Sequence, residues 1–273
     1  MLAFARLASR LPRGGFQIVR RLGIREARIE TVAGPICCDL RESVCYPLLK
    51  YGTYPHAAVE IEWLRAAAGP EDVVYDIGAN IGFTAALLAS RGARVIAFEP
   101  SPRAFRMLKK NARAGIEARQ VALSDKPGRL FFEERDRLDL SFVAETGTLA
   151  IEAVSIDSLG EAPTLIKIDV EGYEPAVLKG ATETLRAGPV LFFEALDGDA
   201  LKESAEIIRA ANPAYRISAV TDMNYVARVE PSRVSRRRVG NLARIVGRRG
   251  AFAALADRAD IAEQLLEQAA AAA

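Results

Sequence analysis

The sequence predicts an α/β fold: a mostly parallel sheet with an antiparallel C-terminal strand and helices on both faces. Three observations carry this reading. From residue 73 onward, short apolar runs alternate with amphipathic stretches of about 10–14 residues, the pattern of parallel strands joined by crossover helices. A corner punctuated by Gly78 and Gly82 leads the first of these strands into its helix. The chain has 273 residues and half of them are hydrophobic, enough for one large domain with a sizeable core and additions at its ends.

Residues 28–50 (RIETVAGPICCDLRESVCYPLLK) read as short strands and a turn, followed by the start of a helix. Residues 57–68 have helical periodicity and stop at Gly69-Pro70. VVYDI (73–77) is a strand, IGFTAALLAS (81–90) a helix ended near Gly92, and RVIAFE (94–99) a strand. The helix at 101–114 carries Ser101 at its N-cap position and Pro102 in its first turn, where a missing N–H is harmless. ARQVALS (118–124) reads as the third strand, and GRLFFEE with GTLAIEAVSI as antiparallel ribbon or loop. Strand 164–170 (TLIKIDV), helix 174–187, strand 189–196 (PVLFFEAL) and helix 200–212 follow. YRISAV and NYVARVE close the domain as a hairpin-like pair. The expected organisation is an N-terminal segment and cap (1–68), a ligand-binding domain (69–231) and a basic, helical C-terminal appendage (232–273).

The net charge of +2 provides no global field for nucleic acid, and none is expected as a partner. Arg236, Arg237, Arg238, Arg248 and Arg249 form a local basic cluster that a solvated tail explains as well. Cys37, Cys38 and Cys45 are odd in number and lack zinc spacing, so they read as reduced thiols of a cytoplasmic protein. No apolar run is long enough to span a membrane. Residues 1–25 hold six arginines and no acid. They read as a basic helix or arm, although a transit peptide or membrane-surface helix shares that composition. Neither an apolar core segment nor a small-residue cleavage site of secretory type is present.

In an open α/β sheet, ligands sit beyond the carboxyl ends of the strands, so the turn after strand 73–77 belongs at the site. Gly78 and Gly82 let the backbone bend tightly there. The dinucleotide fingerprint G-x-G-x-x-G is absent; the chain has Asp76-Ile-Gly78-Ala79-Asn80-Ile-Gly82. This resembles the D/E-x-G-x-G-x-G loop of class I S-adenosylmethionine-dependent methyltransferases, which have a Rossmann-like sheet. Asn80 replaces the middle glycine and is one of the few side chains that tolerate positive φ. Together with AFEPSPRAF, LIKIDVEGYEPAVLKGA (165–181), PVLFFE and the preceding DLRESV, the chain resembles the FkbM family from about Asp39 to Leu196. The resemblance implies an O-methyltransferase that uses S-adenosyl-L-methionine and acts on a hydroxyl of a small molecule, sugar or glycan. It assigns Asp76, Gly78, Ala79, Asn80, Gly82 and Glu99 to the cofactor, Glu99 as acceptor for the ribose hydroxyls. Ser124 and Asp125 end the third strand, where adenine lies in such folds, though a turn before Pro127-Gly128 explains Asp125 equally.

Strand 164–170 is expected to be central and apolar, yet it carries Lys167 and Asp169, with Glu171 just beyond. Buried charges are costly unless paired or used. Lys167 and Asp169 project to the same side and either pair with each other or serve the site, with Asp169 near the reacting centre or binding the methionine moiety of the cofactor. Glu174 reads as a first-turn acid that favours the helix dipole. An alcohol acceptor benefits from a base, and the candidates are Asp169, Glu171, Glu194 and His56, the chain's one histidine. Tyr51 and Tyr54 are candidates for a lid. Asp169, Glu171 and Glu194 offer oxygen ligands of the kind magnesium takes, but no metal is assigned. The rival readings are a non-catalytic protein that keeps the fold and a nicotinamide-dependent oxidoreductase. The oligomeric state has no signal in the sequence.

Overall fold

The computed structural model describes residues 25–133, 142–144, 147 and 149–229. The expected basic N-terminal arm and C-terminal appendage lie outside these residues. β1 (Glu26–Thr31) and β2 (Gly34–Asp39) form an antiparallel hairpin, followed by α1 (Cys45–Tyr51) and α2 (Ala58–Ala67). Then β3 (Val73–Ile77), α3 (Phe83–Ala89), β4 (Arg94–Phe98), α4 (Pro102–Asn111) and β5 (Ile116–Arg119) alternate strand with helix. Four strands follow, β6 (Ala122–Leu123), β7 (Gly128–Glu133), β8 (Phe142–Ala144) and β9 (Leu149–Val154). The alternation resumes with β10 (Leu165–Ile168), α5 (Glu174–Lys179), α6 (Thr182–Arg186), β11 (Val190–Glu194) and α7 (Gly198–Ala211), and β12 (Tyr215–Ala219) with β13 (Asn224–Val229) completes it.

Seven strands make the main sheet in the order β12-β13-β11-β10-β3-β4-β5. β11, β10, β3, β4 and β5 run parallel, and β13 pairs antiparallel with both β11 and β12. The fold is therefore the mostly parallel α/β sheet that the sequence predicts, with its last strand reversed. Side-chain alternation feeds two cores. On one face Tyr75, Ile77, Phe98, Ile168 and Phe193 pack with Val177, Leu185 and Ile208 of α5, α6 and α7. On the other, Val74, Val95, Leu165 and Phe192 pack with Leu64, Leu88 and Leu108 of α2, α3 and α4. Each fully buried Leu, Ile or Phe contributes about 1.5–3 kcal/mol of transfer free energy.

Two expectations are corrected. The third strand does not run through 118–124. β5 ends at Arg119, and β6 leaves the main sheet to join a second one of order β6-β9-β7-β8. That sheet has its own small core of Ala122, Phe132, Ile151 and Ala153, so the ribbon foreseen at 128–156 has a packed face. The helix expected over 174–187 is two short helices that break at Gly180-Ala181. A Cβ on Gly180 would stand 2.0 Å from the Ser124 carbonyl oxygen, so the break accommodates a close pass of another segment.

Residues from β1 to the first half of α2 also pack against α3 and α4. Ile36, Cys38, Leu48 and Ile61 share one apolar cluster with Phe83, Leu87 and Met107. Asn111 of α4 accepts from Cys37 N at 2.6 Å and donates to Cys37 O at 2.9 Å. The three cysteines are free thiols. No helix among the described residues is long and apolar enough to cross a membrane.

Candidate functional site

The chain runs β3-β4-β5 toward one edge of the sheet and returns to place β10 on the other side of β3. Such a switch point opens a crevice at the carboxyl ends of β3 and β10. Gly78 begins that opening at φ 75°, and a Cβ there would lie 1.9 Å from the Asp169 carbonyl oxygen. Only glycine lets the two strand ends approach this closely. Asn80 follows at φ 49° and Gly82 at φ 86°. Gly78 N and Ala79 N both donate to Phe98 O at 3.0 Å, so the corner is tied to the end of β4. Glu99 strengthens the tie: its Oε2 accepts from Asn80 N and its Oε1 from Ser101 N, each at 2.8 Å. Burial pushes the Glu99 carboxyl up to about 7, against the pull of those two N–H donors.

A cavity of about 580 Å³ opens here. On the β4 side it is lined by Gly78, Ala79, Asn80 and Glu99, and on the β10 and β11 side by Lys167, Asp169, Glu171 and Glu194. Tyr54 and His56 line it from the segment before α2. Tyr54 stands edge-on to Phe83 with ring centroids 4.9 Å apart, while Tyr51 is exposed and not part of the wall. His56 is both exposed and part of the wall. Asn80 Oδ1 is buried without a hydrogen-bond partner, an acceptor suited to a ligand donor.

The charged strand residues form a row. Parallel register sets Lys167 opposite Asp76. The Lys167 ammonium lies 3.4 Å from Asp76 Oδ1 and 3.2 Å from Asp169 Oδ2, and it donates to Gly78 O at 3.2 Å. Burial works against its charge, but Asp169 and Asp76 outweigh burial and hold its pKa above the ordinary lysine value. Asp76 is fully buried and does not line the cavity. Neither of its oxygens has a hydrogen bond of full geometry, and burial raises its pKa despite Lys167. Asp76 therefore reaches the site through Lys167, and the pairing of Lys167 with Asp169 that the sequence allows is present.

Past β10 the chain turns sharply, with Glu171 at φ 54° and Gly172 at φ 92°. Glu174 is buried beneath this turn, where its Oε1 accepts from Val170 N at 2.9 Å and from Gly172 N at 3.3 Å. It is a turn-forming group as well as a first-turn acid. The turn brings one carboxylate oxygen each from Asp169, Glu171 and Glu194 within 4.8 Å of one another. Burial first, and then Asp169, Glu171 and Glu174, push the Glu194 carboxyl up to about 8.

Ser124 and Asp125 stand apart from this group. Ser124 Oγ donates to Asp125 Oδ1 at 3.0 Å and forms a hydrogen bond with the Tyr173 hydroxyl at 3.0 Å, in which Tyr173 is then the donor, and neither Ser124 nor Asp125 lines the cavity. The departure of β6 into the second sheet takes them there. Glu60 of α2 is a wall residue that the sequence did not flag. Asn224 Nδ2 donates to its Oε1 at 2.9 Å, and burial followed by the Asp169 charge raises its pKa. Its stretch, AVEIEWLR, is an ordinary amphipathic helix, and only the packing of α2 over the sheet end reveals Glu60's position.

The model of the FkbM methyltransferase domain matches residues 76–212, half of the chain. The chain belongs to the FkbM family. The FkbM match takes in Asp76, Glu99, Lys167, Asp169, Glu171 and Glu194, while His56 and Glu60 lie outside it. Hexuronic acid methyltransferase AglP of Haloferax volcanii is 33% identical over 161 residues, which cover 55% of this chain and 67% of that protein. Among solved structures, an FkbM methyltransferase of Methylobacillus flagellatus aligns at a TM-score of 0.47 and 20% identity, over 78% of this chain and 57% of its own. Trm5b of Pyrococcus abyssi aligns at 0.46 and 16%, over 75% and 55%. This chain thus spans little more than half the length of either.

Proposed function

We propose that this FkbM chain is an S-adenosylmethionine-dependent methyltransferase that O-methylates a hydroxyl of a sugar or glycan. One observation carries the reading. The Gly78–Gly82 corner with its Glu99 clamp and the carboxylates Asp169, Glu171 and Glu194 face one cavity, of a volume usual for small-molecule sites. Family membership supports methyl transfer. The Haloferax relative, named for a hexuronic acid, supports a sugar acceptor.

The residues present fit the cofactor. Asn80 Oδ1 is an unmatched buried acceptor, and Glu99 keeps lone pairs free beyond its two backbone bonds to accept ribose hydroxyls. Asp169 presents a partly exposed carboxylate toward the cationic end. When bound, S-adenosylmethionine supplies a methyl group on a sulfonium, and the sulfur keeps the bonding pair.

The chain's own residues then have separate tasks. Lys167 fixes Asp169 by an ion pair. Glu194, with a carboxyl value of about 8, takes the proton of the acceptor hydroxyl; a base works best when its value lies near the operating pH. Phe83, Phe192 and Leu196 supply apolar wall that limits water at the reacting oxygen. Calorimetric titration of the purified chain tests the reading. Binding of S-adenosylmethionine and S-adenosylhomocysteine, without binding of NADH, is expected. Binding of NADH alone overturns the cofactor assignment.

A further inference from the structure

The β10–β11 side of the cavity is acidic, and little among its described residues balances that charge. Glu60, Asp169, Glu171 and Glu194 line it. Lys167 is the one lysine or arginine among the described lining residues. Its three donors already face Asp169, Asp76 and the Gly78 carbonyl. Arg103, on the first turn of α4, is held in a pair with Glu42 at 2.8 Å and does not line the wall. Asn224 holds Glu60 in place at the end of β13.

This wall already resists its own negative charge. Burial and neighbouring carboxylates raise Glu194 to about 8, and burial and Asp169 raise Glu60. A carboxylate on the acceptor would enter as another anion at close range, and among the described lining residues no lysine or arginine besides Lys167 stands there to meet it. A hydroxyl does the opposite, because it donates and an ionised carboxylate only accepts. Phe192, Leu196 and Met223 line the same side, and the last two are 48% and 46% exposed. They give apolar surface for the C–H face of a sugar ring.

We propose that the acceptor unit is an uncharged sugar held through its hydroxyl donors, and that this acidic wall rejects uronic acids. The inference rests on the methyltransferase reading above. It separates this chain from the hexuronic acid in its Haloferax relative's name.

The test uses the full chain with pairs of methyl glycosides that differ only at C6, hydroxymethyl against carboxylate, in the gluco, galacto and manno series. Release of S-adenosylhomocysteine is the readout. Turnover is expected for at least one neutral member, with kcat/KM for its uronate partner lower by about 100-fold, the scale of one uncompensated like charge at close range. Glu60→Gln and Glu171→Gln should each narrow that ratio by about tenfold, because each removes one charge from the wall. A purely structural role would lower both members alike. A uronate that matches or exceeds its neutral partner overturns the proposal, as does turnover of neither class by a chain that binds S-adenosylmethionine. Absence of S-adenosylmethionine binding overturns the methyltransferase reading together with this one.

Discussion

Asp76 shows what burial does to a residue's role. Its place before the glycine corner suits a ligand carboxylate, yet its side chain is covered and pairs with Lys167 from behind. Removing one partner of a buried pair costs about 3–5 kcal/mol, because the remaining charge is left uncompensated. Asp76→Ala should therefore lower the unfolding free energy measured in urea by the low end of that range, since Asp169 still faces Lys167. Unchanged stability with lost cofactor affinity would make Asp76 a direct ligand. Glu99 behaves differently because it lines the cavity. Its carboxyl stands near 7 in the free protein, and hydroxyl donors favour its ionised form. Cofactor binding at pH 6 should release close to one proton, and at pH 8 almost none. Calorimetry in buffers of different ionisation enthalpy measures this, and Glu99→Gln should abolish it. For the cluster around Glu194 the sign is also set. A base with a raised value gains its active form as pH rises, so kcat/KM should climb through an apparent value near 8. Glu194→Gln should lose that limb. The same shift costs the fold stability progressively as pH rises from the ordinary carboxyl value of 4.5, in full above about 8, so Glu194→Gln should raise the melting temperature more at pH 8.5 than at pH 5.

At the scale of elements, close approaches decide where helices stop. The sequence pattern over 174–187 is continuous, and nothing local divides it except one glycine that a helix tolerates at modest cost. The Ser124 carbonyl lies where a Gly180 side chain would begin, and the helix breaks there. Gly180→Ala should destabilise the protein by about 1–3 kcal/mol through overpacking. Gly128→Ala, at a position with nothing within 4 Å of the added carbon, should stay near neutral in the same denaturation measurement. Strand 118–124 fails for a related reason. Its residues alternate as a strand should, but the pattern holds no mark of where one sheet ends and another begins. The N-cap of α4 was legible because it is local: Ser101 Oγ accepts from Ala104 N at 3.2 Å, three residues on.

For the whole molecule, the hairpin, α1 and α2 share a core with α3 and α4, and salt bridges from Glu26 and Glu42 to Arg106 and Arg103 extend the contact. The described residues up to Val229 hold all seven strands of the main sheet and the cavity. A chain cut after Pro231 should thus remain folded and bind S-adenosylmethionine, as checked by circular dichroism and calorimetry; an insoluble product would assign the C-terminal residues to the fold. The sequence by itself determined the alternation of strands and helices, the reversed last strand, the glycine corner and the FkbM resemblance. It also marked Lys167 and Asp169 as charges out of place in a central strand. These are local signals, written within one element or one turn, where periodicity and backbone conformation act. Only the tertiary structure decided that Asp76 lies behind Lys167, that Ser124 and Asp125 fall outside the cavity wall, and that Glu60 lines it. Those placements depend on register between distant strands and on which segments pack over the sheet end, and no short stretch of chain encodes them.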